Sequence, residues 1–395
     1  MLSEKNYFKN HLAQTTPYPL ELEIESAKGI LLFDKEGNAY FDMISGIGVS
    51  NIGHGNPKVI DAIKIQAEKH LHVMVYGEFI QKKQSGFAKE LLSFLPKSLN
   101  SIYPLNSGTE ANEVALKLAK RATDRSKIVA FKGSYHGNTH GSMSISYNEL
   151  RKAPFRPLLP DVHFIELNKL DQLNSIDDKT ACVFLETIQG DAGVRIPKKE
   201  FLIGLRDKCN QTETLLIFDE VQCGIGRTGK MFAFEHFDVI PDILTLGKSL
   251  GAGMPIGAMV TNQKLMSLLS DNPTLGHITT FGGHPVVMAA AEAGLKVIKE
   301  EQLLDKVEAK GVLLEKLLQH ASIVEIRRIG LMFALEFESP EIVQKVVENC
   351  LSKRVLTFWF LSNPNSIRLA PPLIITETQI EETAKLIVEA INESI

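Results

Sequence analysis

The sequence is poor in cysteine and has almost no net charge, and each shortage excludes a class of protein. Four cysteines occur in 395 residues, with no CxxC spacing and no clustering with histidine, so neither a zinc site nor a disulfide framework is indicated. The 43 basic and 47 acidic residues leave a formal net charge of −4. This balance gives no electrostatic reason to expect nucleic acid or an anionic membrane as a partner.

Long apolar runs are also missing. Lys5, Lys9, His11 and Pro17 interrupt the start of the chain, unlike the apolar core of a signal peptide, and no later run is long enough to span a bilayer. We therefore expect a cytoplasmic protein. With 44% hydrophobic and 23% charged residues, the composition is that of an ordinary globular chain, which fits a small-molecule enzyme.

From residue 57 onward, helical patterns alternate with short apolar strands, as a doubly wound α/β domain requires. The candidate central strands cover residues 127–131, 181–185, 215–218, 243–246 and 256–260. A hairpin is predicted before them, between Gly29 and Asp42, with its turn at residues 34–38. After Pro285 the pattern changes to amphipathic helices with a few strands, which indicates a smaller α+β domain.

Lys248 is the least expected residue of the predicted sheet. It follows the apolar run 243–246, and the glycines around it leave room for a large planar group, so its placement indicates a reactive amine. The buried strand 215–218 ends at Asp219, which puts a carboxylate at the carboxyl end of that strand. Pyridoxal phosphate (PLP) chemistry uses such a pair, because the lysine binds PLP as a Schiff base and an acid contacts the pyridine nitrogen. A structural ion pair is the alternative interpretation.

Two hydroxyl-rich segments are candidates for a phosphate site. Ser107, Gly108 and Thr109 open a strongly helical run, where free N–H groups and the helix dipole favour an anion, although an ordinary helix N-cap has the same residues. Thr280 lies in a second hydroxyl cluster, bordered by the glycines of residues 279–285.

Two further side chains suit a cofactor or a substrate. Tyr135 follows the strand 127–131, at an edge where its ring could stack on a pyridine or belong to the core. Arg368 lies in an apolar strand, and a buried arginine needs an anion. Either an internal acid or a substrate carboxylate could supply that anion.

Taken together, these motifs resemble the class III (ω-amino acid) PLP-dependent aminotransferases, in particular the acetylornithine, ornithine and 4-aminobutyrate aminotransferases. The resemblance runs in the family's motif order from the hairpin before Asp42 to Pro372. It implies the PLP-dependent transferase fold of type I. In that fold, residues 45–285 would form a large doubly wound domain with a mixed sheet, and residues 286–395 a smaller α+β domain to which residues 1–44 contribute.

The resemblance also implies roles for the residues of the cofactor site. Lys248 would form the Schiff base with PLP, and Asp219 would keep the pyridine nitrogen protonated. Tyr135 and Val221 would pack on the two faces of the ring. The other implied cofactor-binding residues are Ser107, Gly108, Thr109, His136, Glu186, Gln222 and Thr280, the last reaching across from the second subunit of a homodimer with shared active sites.

Three of the four implied substrate-binding residues depart from the family pattern. Arg368 resembles the family's carboxylate-binding arginine, and Asp191 stands in the place of its switchable glutamate partner, one methylene shorter. Asn138 replaces an arginine that commonly binds a distal substrate carboxylate. Ile47 stands where ornithine aminotransferases carry a tyrosine, which argues against ornithine as the donor.

The implied activity is transfer of an amino group to a 2-oxo acid, either 2-oxoglutarate or pyruvate. The expected donor group is the terminal amine of a small amino acid such as N-acetylornithine or 4-aminobutyrate. A PLP-dependent aminomutase is the first alternative, since fold does not fix function. A non-catalytic PLP-binding sensor fused to a DNA-binding module is the second, but no basic helix-turn-helix extension precedes Asp42. No metal is expected.

Overall fold

The computed structural model describes residues 3–395 and folds them into three sheets flanked by helices. The α-helices are Glu4–His11 (α1), Ser45–Gly48 (α2), Pro57–Lys69 (α3), Lys82–Leu92 (α4), Gly108–Thr123 (α5), His140–Ile145 (α6), Glu149–Lys152 (α7), Lys199–Thr212 (α8), Gln263–Ser267 (α9), Pro285–Glu300 (α10), Val307–Leu317 (α11), Pro340–Ser352 (α12) and Glu377–Asn392 (α13). The strands are Ile24–Lys28 (β1), Leu31–Asp34 (β2), Ala39–Asp42 (β3), Ser101–Leu105 (β4), Lys127–Phe131 (β5), Val162–Ile165 (β6), Thr180–Glu186 (β7), Leu215–Asp219 (β8), Ile243–Gly247 (β9), Gly257–Thr261 (β10), Glu325–Ile329 (β11), Met332–Glu336 (β12), Val355–Leu356 (β13), Phe358–Trp359 (β14) and Ser366–Leu369 (β15). Short 3-10 helices cover Ala153–Phe155, Leu170–Ser175, Ala233–His236, Lys248–Gly251 and Leu303–Lys306.

The central sheet has seven strands in the order β4-β10-β9-β8-β7-β5-β6. Strands β9, β8, β7, β5 and β6 are parallel, whereas β10 runs antiparallel to both of its neighbours. The carboxyl ends of the five parallel strands and the amino end of β10 therefore meet at one edge of the sheet. This mixed sheet confirms the predicted fold class.

Helices cover both faces of this sheet because its side chains alternate between two apolar layers. In β7, Cys182 and Phe184 pack in the layer that contains α5. Val183 and Leu185 pack in the opposite layer, together with Phe201 of α8. Strand β7 is therefore buried along its whole length, as the apolar sequence predicted.

A smaller domain follows in sequence, with a sheet in the order β11-β12-β15-β14. The N-terminal hairpin joins this region, because β3 pairs in parallel with β13. Ile30 and Met43 belong to the same apolar cluster as residues of α12, β15 and α13. Thr376 caps α13 in a capping box, in which its side chain and that of Gln379 each accept a hydrogen bond from the other residue's backbone N–H.

The division into residues 1–44, 45–285 and 286–395 stays a prediction. Helix α10 lies just beyond the expected second boundary, yet it packs against α3 and α4 of the large domain. Its residues Met288, Ala291 and Leu295 are part of the large domain's core. We therefore propose the same division with α10 assigned to the large domain.

Two edge strands of the central sheet were not predicted. Strand β4 contains Pro104, which a sheet tolerates at its edge, and β6 is a short strand in which only Ile165 is buried. Edge strands need less apolar sequence than central ones, so their signal is weaker. Within residues 3–395, no helix combines the length and the apolar composition needed to cross a membrane.

Candidate active site

A cavity of about 270 Å³ opens at the edge where the parallel strands end. It contains both residues on which the sequence interpretation depends, Lys248 and Asp219. Its lining consists of Gly108, Thr109, Tyr135, His136, Gly137, Asn138, Glu186, Ile188, Asp219, Val221, Gln222, Cys223 and Lys248. The loops after β5, β7, β8 and β9 and the start of α5 thus converge on one site.

Lys248 directly follows β9 and starts a 3-10 helix with a left-handed φ of 47°. Few non-glycine residues adopt this conformation, and those that do are common at functional sites. The residue is half-buried and lines the cavity. Burial lowers the pKa of Lys248, and the nearby Arg368 guanidinium lowers it further. A lowered pKa increases the unprotonated fraction of the amine, which is the reactive form.

Asp219 ends β8 and accepts three hydrogen bonds from the protein. Its Oδ2 accepts from Asn112 Nδ2 at 2.9 Å and lies 2.7 Å from His136 Nδ1, and its Oδ1 accepts from the Val221 N–H at 2.9 Å. A carboxylate has about four acceptor positions, so one remains on Oδ1. That free position fits the N–H of a pyridinium ring in the cavity.

His136 is buried and is held on two sides. Its ring meets Phe184 edge to face, with 4.8 Å between the ring centroids, and its backbone N–H donates to Ser146 Oγ. These contacts fix the imidazole beside Asp219 at the wall of the cavity. His136 both lines the cavity and contacts Asp219, and its predicted role in binding the cofactor stays a prediction.

The start of α5 forms the end of the cavity that suits a phosphate. A Cβ atom added to Gly108 would lie 2.5 Å from Val221 Cγ1, so only glycine lets the backbone approach this closely. Thr109 Oγ1 contacts the hydroxyls of Thr139 and Ser142 at 2.8 and 2.9 Å. Ser107 does not line the cavity; its hydroxyl is the N-cap of α5 and accepts from the Glu110 N–H.

Tyr135 and Val221 both line the cavity, as two residues that sandwich a ring must. Glu186 fixes the Tyr135 loop, because its Oε1 accepts from the Tyr135 N–H at 2.9 Å and its Oε2 from the Gly190 N–H at 3.0 Å. Burial raises the pKa of Glu186 to about 8, and the nearby Asp219 adds to the rise. Burial also raises the pKa of the Tyr135 hydroxyl, whereas Arg151 and a hydrogen bond with Asn138 lower it.

Arg368 and Asp191 form a buried ion pair. Arg368 Nη2 lies 3.0 Å from Asp191 Oδ1, so the shorter acid does reach the arginine. The Phe360 ring lies 4.5 Å from the guanidinium carbon. Burial lowers the pKa of Arg368, and the charge of Asp191 opposes this effect. The internal acid therefore supplies the anion that the sequence required.

Ile47 lies in α2, a single turn whose backbone is left-handed instead of regular α-helix. Ser45, Gly46, Ile47 and Gly48 all have positive φ values, from 49° to 73°. A Cβ atom added to Gly48 would lie 3.9 Å from Gln222 Cγ and 4.0 Å from Lys248 Cδ, so the turn borders the cavity. A β-branched residue in this conformation is strained, which is typical of functional sites.

Thr280, like Ser107, is a predicted cofactor residue that does not line the cavity of a single chain. It is exposed and does not line the cavity. Its neighbour Phe281 is also exposed.

Three residues around this site were not predicted from the sequence. Asn112 of α5 donates a hydrogen bond to Asp219, and Ser362 of the small domain donates one to Asp191. Arg151 of α7 lowers the pKa of the Tyr135 hydroxyl. Of the three, only Arg151 could have been found from the sequence, as a positively charged residue in the segment that follows the Tyr135 motif. The other two contacts depend on pairings between distant parts of the chain.

The chain matches the family model described as "Aminotransferase class-III" over residues 13–391, and it belongs to that family. It is a PLP-dependent aminotransferase. The free acceptor position of Asp219 and the glycine start of α5 fit the pyridine and phosphate ends of this cofactor.

Curated relatives and solved structures agree with this assignment. The chain is 38% identical to a LysW-aminoadipate semialdehyde/glutamate semialdehyde transaminase of Sulfurisphaera tokodaii, over 92% of this chain and 93% of the relative. It is 37% identical to an acetylornithine aminotransferase of Methanopyrus kandleri, over 98% of both chains. The ornithine aminotransferase structure of Toxoplasma gondii superposes with a TM-score of 0.91 at 30% identity, covering 99% of this chain and 94% of that one. These matches support neither the aminomutase nor the sensor interpretation.

Proposed function

We propose that this aminotransferase takes the terminal amino group of a small amino acid and passes it to a 2-oxo acid. N-acetylornithine and 4-aminobutyrate are the proposed donors, and 2-oxoglutarate or pyruvate is the proposed acceptor. The relatives' names support the donor class, because acetylornithine carries its free amine at the chain end and a semialdehyde is the matching carbonyl form.

The observation that carries this proposal is the ion pair between Arg368 and Asp191. A donor with a carboxylate on the reacting carbon needs a free cation beside Lys248. Because Asp191 already neutralises Arg368, the resting site favours an amine carbon that bears no carboxylate.

We assign the chemical steps to Asp219 and Lys248. When bound, PLP supplies the electron sink for the carbon that bears the substrate amine. Asp219 would offer its remaining acceptor position to the N–H of the bound ring, which would favour the protonated nitrogen. The Lys248 amine, with its lowered pKa, takes a proton from the substrate carbon and returns it. Tyr135 and Val221, which both line the cavity, would hold the ring when the cofactor is bound.

We also propose a homodimer with shared active sites. An interface patch of large apolar side chains is exposed, consisting of Leu71, Met74, Phe79, Ile80, Leu275, Ile278 and Phe281. The two segments of this patch lie side by side, since the His72 and Phe281 rings are 5.1 Å apart. Exposed apolar patches of this kind mark interaction surfaces. A second copy covering the patch would bring Thr280, which adjoins Phe281, toward a partner's cavity.

The donor assignment is tested with the PLP-loaded enzyme alone, without an acceptor. We expect N-acetylornithine or 4-aminobutyrate to convert the cofactor to its amine form. The change in visible absorbance measures this conversion. Alanine and glutamate, which are the amino products of the proposed acceptors, serve as comparisons that carry a carboxylate on the reacting carbon. Rapid conversion by these controls and none by the terminal amines would contradict the proposal.

A further inference from the structure

The acid that neutralises Arg368 is itself held by the small domain. Asp191 Oδ2 accepts from Ser362 Oγ at 2.8 Å, and Asp191 Oδ1 accepts from the Leu361 N–H at 3.0 Å. Both donors belong to the loop that joins β14 to β15. Asp191 therefore has three donors, and only one of them is the guanidinium of Arg368.

Arg368 has little freedom to leave this arrangement. Its residue is 7% exposed, the Phe360 ring lies 4.5 Å from its guanidinium carbon, and its Nε is buried with no hydrogen-bond partner in residues 3–395. A carboxylate that binds Arg368 at its paired nitrogen must therefore displace Asp191. Displacing Asp191 also breaks the two hydrogen bonds to the loop, which cost more to lose because the acceptor is charged.

We propose that Ser362 is a positioning residue that holds Asp191 on Arg368 and thereby sets the preference between two substrate classes. This inference rests on the proposed function. A substrate without a carboxylate on its reacting carbon leaves the ion pair intact and does not disturb Ser362. A 2-oxo acid brings a carboxylate next to its reacting carbonyl, and that carboxylate competes with Asp191 for Arg368. The Ser362 hydroxyl therefore opposes only the second class.

The loop around Ser362 is anchored independently of this hydrogen bond. Asn363 Nδ2 donates to Ser366 Oγ at 3.0 Å, and Arg327, which donates to the Gly193 carbonyl, also reaches Ser366 Oγ. Ser362 is half-buried, so loss of its hydroxyl leaves no large cavity. Ser362→Ala is consequently expected to fold as the wild type does.

The test measures the reaction of the purified, cofactor-loaded enzyme with each class of acceptor separately. The enzyme in its amine form is mixed with pyruvate, whose only carboxylate adjoins the carbonyl, or with succinic semialdehyde, whose reacting carbon carries none. We expect Ser362→Ala to raise the second-order rate constant for pyruvate about tenfold, as loss of one charged hydrogen bond allows. The rate constant for the semialdehyde should not change, and Ser362→Thr, which keeps the hydroxyl, should behave as the wild type.

A binding measurement checks the same inference without turnover. Propionate carries a carboxylate but no reacting carbonyl, and we expect Ser362→Ala to bind it about tenfold more tightly in calorimetric titration. An unchanged affinity for propionate together with equal effects on pyruvate and semialdehyde would overturn the inference. That result leaves the donor assignment intact. A wild-type enzyme that reacts with pyruvate and alanine but with neither the semialdehyde nor 4-aminobutyrate would instead overturn both the proposed function and the inference.

Discussion

Asn112 donates one hydrogen bond to Asp219 Oδ2 at 2.9 Å and a second to the carbonyl of His136 at 2.7 Å. Asn112 lies in the second turn of α5, whose first residues, Gly108 and Thr109, line the phosphate end of the cavity. One helix therefore supports both ends of the cofactor site. The acid at the proposed pyridine end and the proposed phosphate site at the other end keep a fixed separation, because α5 forms the second and holds the first through Asn112.

Replacing Asn112 with alanine is expected to weaken PLP binding. Asp219 loses a donor at a buried position, which costs about 1.5–3 kcal/mol for a hydrogen bond to a charged group and corresponds to roughly a tenfold or larger rise in the PLP dissociation constant. Titration of the PLP-free protein with PLP measures this dissociation constant. Asn112→Asp should weaken binding further, since it places a second carboxylate beside Asp219. Asn210→Ala, at an exposed helix position, is the control and should bind PLP normally.

Replacing Lys248 with alanine is expected to abolish turnover, because the reactive amine is removed from the cavity. The visible absorbance of bound PLP should change at the same time, which separates loss of the amine from unfolding. The exposed Lys264 is the matched control, and Lys264→Ala should keep full activity. Turnover retained by Lys248→Ala would refute the assignment.

Arg151 is expected to favour acceptors with a second carboxylate. It is exposed on α7, forms no ion pair in residues 3–395, and lowers the pKa of the nearby Tyr135 hydroxyl. Arg151→Ala should lower kcat/KM for 2-oxoglutarate about tenfold, or ~1.4 kcal/mol, and leave pyruvate unaffected. Steady-state kinetics with both acceptors measure this.

Arg156→Ala is the control for that experiment, because Arg156 is nearby but already pairs with Glu149. Its substitution should leave both acceptors unchanged. Equal losses for 2-oxoglutarate and pyruvate in Arg151→Ala would show that Arg151 does not contact the second carboxylate.

Charging the interface patch is expected to separate the subunits. Ile80 is 100% exposed in the single chain, and Ile80→Arg would place an unpaired charge in a buried interface, which costs several kcal/mol. Light scattering should show a monomer, and activity should fall because Thr280 no longer reaches a partner. Val324→Arg, at a 62% exposed position outside the patch, should not change the mass. A wild-type protein that is already a monomer would contradict the dimer.

The stability of the PLP-free protein is expected to depend on pH through Glu186. Its pKa is about 8 in the folded chain, above the ordinary value of 4.5, because burial disfavours the charged carboxylate. A group whose pKa rises on folding stabilises the fold fully below its unfolded pKa, and this contribution is lost as the pH rises to the folded pKa. The free energy of unfolding should therefore fall less steeply between pH 4.5 and about 8 in Glu186→Gln than in the wild type.

Urea unfolding at several pH values measures this slope. Glu220, whose pKa burial also raises to about 8, remains in the variant, so part of the slope should persist. Glu220→Gln is the matched comparison, because this acid accepts from the N–H groups of Ala233 and Phe234 and does not line the cavity. Identical slopes in wild type and Glu186→Gln would show that Glu186 is charged throughout this range.

The sequence predicted the centre of the site better than its surroundings. Lys248 and Asp219 were identified because each is a charged residue directly after a run of apolar residues, where burial disfavours a charge. Glycines beside Lys248 and at Gly108 added evidence that a ligand approaches the backbone. Such local conflicts are visible in a single sequence without any knowledge of tertiary contacts.

Residues that act through tertiary contacts could not be found this way. Asp191 and Ser362 are 171 positions apart, and nothing in either segment indicates that they meet. Asn112 looks like an ordinary polar residue of a helix. Thr280 was placed at a partner's site only through the family resemblance, and one chain alone leaves that prediction untested.

The reversed direction of β10 has a consequence for the cofactor site. Because this strand alone runs antiparallel, its first residue, Gly257, lies between Leu105 and Gly247 at the edge where the other central strands end. A Cβ atom at Gly257 would stand 1.9 Å from the carbonyl oxygen of Ser107. A residue that touches no ligand thus fixes how close the first turn of α5 can come, and even a methyl group there would push the anion-binding amides out of place.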